Sequence, residues 1–306
     1  MYSLDYLQIS RDDSGIYLFS VLVYIILMKH FIKNFILFLF PIVTIFYAYS
    51  TSGLFEIDIP GSEIYISIKK SKRNTPITKL IIGDSTANQL FNNCDDENDI
   101  YSLACNQAIG VCGHYFLLNN FLQAGNSPEE VYLIYNALSF NNNLDQIYTY
   151  NYFLKPFYKN EYKSLMSLTI QEQIKKIPYY QICQFPPILT SSWSPKYNPI
   201  EENRLSPISI EYLEKIDSLS HVYNFKLYII PSFMSESKHR TVEKMDFCLI
   251  KGAKTEQKIS IYLDNISYMN DTCFVDGIHL NQPQKYKEAI YKKISDIKKE
   301  YIKYGL

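Results

Sequence analysis

Leu80-Ile81-Ile82-Gly83-Asp84-Ser85-Thr86-Ala87-Asn88-Gln89-Leu90-Phe91 is the stretch whose reading decides the fold. A short apolar run stops at a Gly-Asp-Ser turn, and a helix-compatible segment follows. That is the pattern of a buried parallel strand feeding a tight turn into a helix. Ser85 then lies at the carboxyl end of a sheet beside helix N-terminal amides. Their unpaired N–H groups and the helix dipole favour negative charge, as an oxyanion site requires. A serine at this place is also an ordinary helix N-cap. The stretch alone therefore fixes a strand–turn–helix unit and leaves the role of the serine open.

The same alternation continues outward. Further strands are expected at Ile100–Leu103, Val131–Ile134 and Lys226–Ile230, the last stopped by Pro231. Helices are expected at Thr86–Phe91, Gly113–Ala124, Ser209–Tyr223 and Gln284–Ile302. Strands alternating with helices imply parallel βαβ units and a sheet covered on both faces, with ligands bound beyond the carboxyl ends of the strands. Between Phe140 and Pro207 the alternation fails. That stretch holds Tyr148, Tyr150, Tyr152, Tyr158, Tyr162, Tyr179, Tyr180 and Trp193, with six prolines from Pro178 to Pro207, and is too long for a simple connection. It reads as an insertion with some helix near Ser164–Lys176, placed either over the active-site edge or on the flank.

A second motif lies far along the chain, Phe274-Val275-Asp276-Gly277-Ile278-His279-Leu280-Asn281. A base that takes a serine proton needs a third group to orient its other nitrogen. Asp276 and His279, three apart on a loop before the last helix, supply both parts. Of the other histidines, His30 flanks the apolar N-terminus, His114 begins a helix, His221 lies in an amphipathic helix and His239 in a charged loop.

Gly83-Asp84-Ser85 near the start of a domain, with Asp-x-x-His near its end, resembles the GDSL/SGNH hydrolases. The resemblance covers roughly Lys79 to the C-terminus and rests on these two motifs. It implies an α/β fold, a three-layer α/β/α sandwich around a mostly parallel, flavodoxin-like sheet. It also implies that Ser85 is the nucleophile, His279 the general base and Asp276 its orienting partner. The oxyanion hole would be the Ser85 amide, a glycine after the second strand and an asparagine after the third. Gly110 fits the first, with Gly113 as competitor. Asn136 fits the second, with Asn106 and Asn141 as further candidates. The usual Gly-x-Asn-Asp of the family is absent from Ile134-Tyr135-Asn136-Ala137-Leu138. Leu280-Asn281, directly after the histidine, is similar to members that act on cell-envelope polysaccharides.

Composition narrows the class. The 306 residues suffice for one large or two small domains, and a net charge of −1 implies no general attraction to nucleic acid. Tyr is abundant at 28 against a single Trp, which core packing explains as readily as carbohydrate stacking. Six cysteines show neither a Cys-x-x-Cys pair nor Cys/His ligand spacing, so no metal site is expected, while an even count leaves disulfides open. No Walker loop, dinucleotide fingerprint or His-Glu-x-x-His occurs, and the serine chemistry requires no cofactor.

The N-terminus reads as membrane-directed. A first apolar stretch, Ile16 to Met28, is short for a span. A second, Phe35 to about Phe55, is charge-free and long enough to cross a bilayer. Lys29 to Lys33 between them favours the cytoplasmic side and puts the rest of the chain outside, whereas Lys69, Lys70, Lys72 and Arg73 argue the other way. A start at Met28 would make the second stretch a signal anchor or signal peptide, with an uncleaved anchor preferred. The expected organisation is a membrane segment over 1–55, a connector over 56–78 with a small edge strand at Ile64, Ile66 and Ile68, and a hydrolase-like domain over 79–306. The expected function is a membrane-anchored, extracytoplasmic serine esterase or O-acetyltransferase acting on a carbohydrate or other small acyl ester. The alternative is a catalytically weak domain that binds polysaccharide or an assembly partner.

Overall fold

The structure, a computed structural model, describes residues 13–52 (side chains over 21–49), 60–94, 100–184, 205–245, 247 and 253–306. Asp5, Asp12, Phe55, Trp193, Pro186, Pro187, Pro195, Pro199 and Cys248 lie outside these residues. The chain forms two units, Met1–Ile57 and Asp58–Leu306.

The described residues of the first unit form one helix, α1, Asp13–Ser52. Two separate apolar stretches were expected. They are instead joined through Lys29–Lys33, because that basic patch carries no Gly or Pro and its residues propagate a helix readily. At 40 residues the helix is about 60 Å long. Its segment Val21–Tyr49 has a mean hydropathy of 1.9 and is long and apolar enough to cross a membrane. Apolar side chains point outward all round it, Phe38 and Phe40 each 70% exposed. Such a surface needs an apolar environment to cover it.

The second unit is α/β. It opens with α2, Ser62–Ser71. An edge strand was expected here, and the alternation of Ile64, Ile66 and Ile68 is overruled: Ile64 and Ile68, one helical turn apart, are buried, while Ile66 is exposed. A four-stranded parallel sheet follows, from β1 (Lys79–Gly83), β2 (Ile100–Ser102), β3 (Glu130–Tyr135) and β4 (Lys226–Pro231), in the order β2-β1-β3-β4. The order reverses between β1 and β3, and in open α/β sheets a crevice forms at such a switch point. Helix α3 (Ser85–Leu90) follows β1, and α4 (Gly110–Gln123) follows β2.

Alternate strand residues feed two separate cores. Leu80, Ile82, Val131, Leu133, Leu227 and Ile229 join the residues of α2 and α4 on one face. Ile81, Tyr132, Ile134, Tyr228 and Ile230 join Ala87 and Leu90 of α3 on the other. The period of two that makes each strand apolar throughout is thereby used on both sides.

Two short strands were not anticipated. After β4 the chain passes Ser232, whose N–H donates to Tyr135 O at 3.1 Å, into β5 (Phe233–Ser235), which pairs in parallel with β6 (Ser267–Met269). At three residues each they lie below the length at which hydrophobic alternation is readable.

The described part of the insertion packs on the sheet's flank. Its helix α5 runs Leu168–Lys175. Phe153, Phe157 and Tyr162 surround Phe116 of α4 with ring centroids 6.0, 5.5 and 5.6 Å away. Tyr150 and Tyr162 are buried and so serve the core, while Tyr148 and Tyr179 are exposed. Helix α6 (Pro207–Tyr223) returns the chain to β4, α7 (Ala253–Asp264) precedes β6, and α8 (Lys287–Tyr304) closes the second face through Ile290, Ile294, Ile297 and Tyr301.

Candidate active site

The site grows out of the end of β1. A Cβ on Gly83 would lie 2.1 Å from Ile134 O and 2.7 Å from the Ala87 Cβ, so only glycine lets the turn press against β3 and α3 together. Asp84, wholly buried, is the residue that caps α3. Its Oδ1 accepts from the Thr86 N–H at 3.0 Å and the Thr86 hydroxyl at 2.5 Å, and its Oδ2 accepts from the Asn136 N–H at 2.8 Å and the Ser139 hydroxyl at 2.6 Å. One carboxylate thus ties the turn to the loop after β3. With Asp84 in the capping place, Ser85 becomes the first residue of α3, where a backbone N–H has no intrahelical acceptor. The N-cap reading of Ser85 is replaced by this arrangement.

The second motif forms a narrow hairpin. The Val275 N–H donates to His279 O at 2.8 Å, and Phe274 and Leu280 make an antiparallel bridge. Inside it, Asp276 Oδ1 accepts from the N–H groups of Ile278 and His279 at 3.0 and 2.7 Å, and Oδ2 lies 2.6 Å from His279 Nδ1. Partial burial pushes the Asp276 carboxyl up. The His279 N–H, the imidazole and the Ile278 N–H outweigh it and hold the group down at about 2. Gly277 makes the turn with φ +82°, and its carbonyl accepts from the Ser235 N–H of β5 at 3.2 Å. The Ser235 hydroxyl donates in turn to Asp271, which anchors the hairpin to the β5–β6 pair.

Across the two motifs, Ser85 Oγ lies 2.7 Å from His279 Nε2. With Nδ1–H donated to Asp276, Nε2 carries the lone pair and accepts the Ser85 proton; the partners assign this tautomer. The structure therefore brings Ser85, His279 and Asp276 into one hydrogen-bonded chain. Such a chain can deprotonate a hydroxyl as it attacks an electrophile and stabilise the imidazolium that results.

Of the other expected oxyanion donors, the backbone N–H groups of Gly110 and Asn136 are engaged elsewhere. The Gly110 N–H donates to Gln107 O, closing a 3-10 turn over Gln107–Ile109. The backbone N–H of Asn136 goes to Asp84, its Oδ1 accepts from the Leu138 N–H, and its Nδ2 makes a long contact of 3.4 Å to Ser232 Oγ. The reason is local: each residue begins or ends a 3-10 turn whose backbone groups need partners. Asn106 likewise caps its turn by accepting from the Ala108 N–H, Asn141 ends the turn Ala137–Asn141, and Gly113 is packed under Ile109.

His114, expected to begin a helix, lies near the start of α4. It is fully buried in α4, with Nε2 2.6 Å from Gly83 O and Nδ1 2.9 Å from Gly110 O. Burial pulls its pKa down to about 4, against the pull of Asp84 and of the two carbonyls. It braces the turn before Ser85 against the start of α4. Gln89, four residues after Ser85, was passed over; its spacing of one helical turn was the available signal. His221 faces Asp217 and His239 faces Glu243, both on the surface.

Cys94, Cys105, Cys112, Cys183 and Cys273 are free thiols. Among the described residues no three His, Cys, Asp or Glu side chains converge as a metal site would require. No protein-family model matches the sequence, and no curated protein matches it either.

Proposed function

We propose that the protein is a membrane-anchored serine esterase or acyltransferase of the SGNH type, acting outside the cytoplasm on an acyl, in the first instance acetyl, ester of an envelope or extracellular polysaccharide. The observation that carries the reading is the contact of 2.7 Å between Ser85 Oγ and His279 Nε2, continued at 2.6 Å to Asp276. The strand order, the two cores and the place of Ser85 at the switch point accord with a three-layer α/β/α sandwich of that family. The anchor would be the Val21–Tyr49 segment of α1. The polysaccharide and the outward orientation rest on the motif resemblance and on Lys29 and Lys33.

In this reading Ser85 Oγ attacks the ester carbonyl carbon while its proton passes to His279 Nε2, and Asp276 stabilises the imidazolium. The carbonyl π pair moves onto oxygen, beside the Ser85 N–H at the start of α3. Collapse breaks the bond to the leaving alcohol, which takes the proton from His279. Water or a sugar hydroxyl then attacks the acyl-serine, gives its proton to His279, and the Oγ–C bond breaks as that proton returns to Ser85. A second oxyanion donor would come most easily from Asn136 Nδ2, whose contact to Ser232 is long and which carries two hydrogens.

The test is acetate release from 4-nitrophenyl acetate and from O-acetylated envelope polysaccharide by the full-length protein in detergent. Ser85→Ala and His279→Ala are expected to lower turnover by about a thousandfold or more with the fold intact. Equal rates for wild type and Ser85→Ala would overturn the reading. The engagement of Gly110 and Asn136 favours a second one, a catalytically weak domain that binds polysaccharide or a partner through the same cleft. Retained binding of polysaccharide by a wild type that turns over no ester would establish it.

A further inference from the structure

Ser85 and Gln89 occupy the same face of α3, one turn apart, and both reach the Asp276–His279 hairpin. Ser85 meets the His279 ring, and Gln89 meets the backbone of the next residue. Gln89 Oε1 accepts from the Leu280 N–H at 3.1 Å, and Gln89 Nε2 donates to Leu280 O at 3.4 Å. The amide pairs with Leu280 as a neighbouring strand would, and the two bonds together fix which end of the amide is oxygen. Leu280 is itself buried against Ala87, Leu90 and Phe91. We infer that Gln89 is a positioning residue that keeps His279 in register with Ser85 after the serine has been acylated.

The argument rests on the acyl-transfer reading of the site and on one chemical difference between its two halves. In the free protein the Ser85 hydroxyl holds His279 by its own hydrogen bond. Once Oγ is esterified it has no proton to donate, and that link is gone. His279 must nevertheless stay within reach of the incoming water or hydroxyl, whose proton it takes as the Oγ–C bond is about to break. The bonds from Gln89 to Leu280 do not depend on the state of the serine. The hairpin's own bonds, Val275 to His279 and Asp276 to Ile278 and His279, keep its shape, and the Ser235 N–H to Gly277 O bond ties its tip to β5; the bonds from Gln89 are the ones that tie it to α3. Removing Gln89 therefore slows deacylation more than acylation.

The experiment compares full-length wild type, Gln89→Ala and Gln89→Glu in detergent with 4-nitrophenyl acetate. Burst and steady-state phases are followed together, with intact-mass detection of the acetyl-enzyme. Gln89→Ala is expected to lower the deacylation rate by about tenfold to a hundredfold, leave the burst rate within about threefold, and accumulate acyl-enzyme. Gln89→Glu keeps the acceptor for the Leu280 N–H and should fall between the two, which also covers a failure of Gln89→Ala to fold. Equal loss in both phases, or no loss in either, overturns the inference. If wild type forms no acyl-enzyme, the functional reading itself has failed, and amide exchange over 274–281 decides the clamp alone. Faster exchange in Gln89→Ala or Gln89→Glu with the rest of the domain unchanged supports it, and unchanged exchange refutes it.

Discussion

Two aspartates flank the Ser85–His279 contact, and they could hardly be more different. Asp84 adjoins the serine in sequence, is wholly buried and gives both oxygens to four donors, two in α3 and two in the turn after β3. Asp276 comes from the far end of the domain, has a side chain 50% exposed, and gives its oxygens to its own hairpin and to the imidazole. The first organises the scaffold that presents the serine. The second organises the base. Proximity to a reactive group in sequence thus says little about sharing its chemistry; what decides is which donors the carboxylate faces.

Substitution should separate the two roles. Asp276→Asn leaves the hairpin an acceptor but can no longer hold the protonated imidazole, so ester turnover is expected to drop by about 10⁴-fold, with a smaller fall in melting temperature than Asp84→Ala gives. A comparable loss from Asp84→Asn with an unchanged melting temperature would collapse the distinction. Asp84→Ala should do the opposite and act on stability. It strands the N–H groups of Thr86 and Asn136 in the interior, at about 1–3 kcal/mol for each group left unpaired, while the Ser139 hydroxyl keeps Gln107 Oε1 at 2.8 Å. Urea unfolding midpoints would show it.

Acid titration gives a third and smaller contrast. Asp276 is held at about 2, below its ordinary 3.8, so its contribution is full above pH 3.8 and fades as the pH falls toward 2. His114, beside Asp84, behaves in the same direction at higher pH. The unfolded chain takes up a proton below 6.5 and the folded one only near 4, so stability declines as the pH falls through that window, by about 3 kcal/mol at its lower end. In His114→Gln the decline between pH 6.5 and 4 should shrink while that near pH 3 remains.

Much of this was readable before any coordinates. The four central strands announce themselves because burial on both faces makes each a continuous apolar run closed by Gly, Pro or a polar turn. The meeting of Ser85, His279 and Asp276 was legible because a base for a serine hydroxyl calls for an orienting carboxylate, and the Asp-x-x-His spacing supplies both. What escaped depended on partners distant in sequence. The Ile64–Ile68 segment satisfies the strand period and the helix period equally, and only its packing against the sheet selects the helix. Gly110 and Asn136 were assigned by their place after strands, yet the Gly110 N–H is claimed by its own turn and the Asn136 N–H by Asp84. Gln89 and His114 carry no motif, since a side chain that pairs with backbone carbonyls and amides leaves no pattern in the sequence.

The contact between Ser85 and His279 joins residues 194 positions apart. Synthesis runs from the amino end, so the serine is made long before the base that activates it. A nascent or truncated chain carries an ordinary alcohol at Ser85, and in the proposed function its reactivity would switch on only when the whole domain has closed. Proteolysis anywhere in the insertion, followed by loss of the later fragment, would return it to the inert state. If the proposed function holds, the fold doubles as a quality check, in which chemical competence and completed folding are one and the same event.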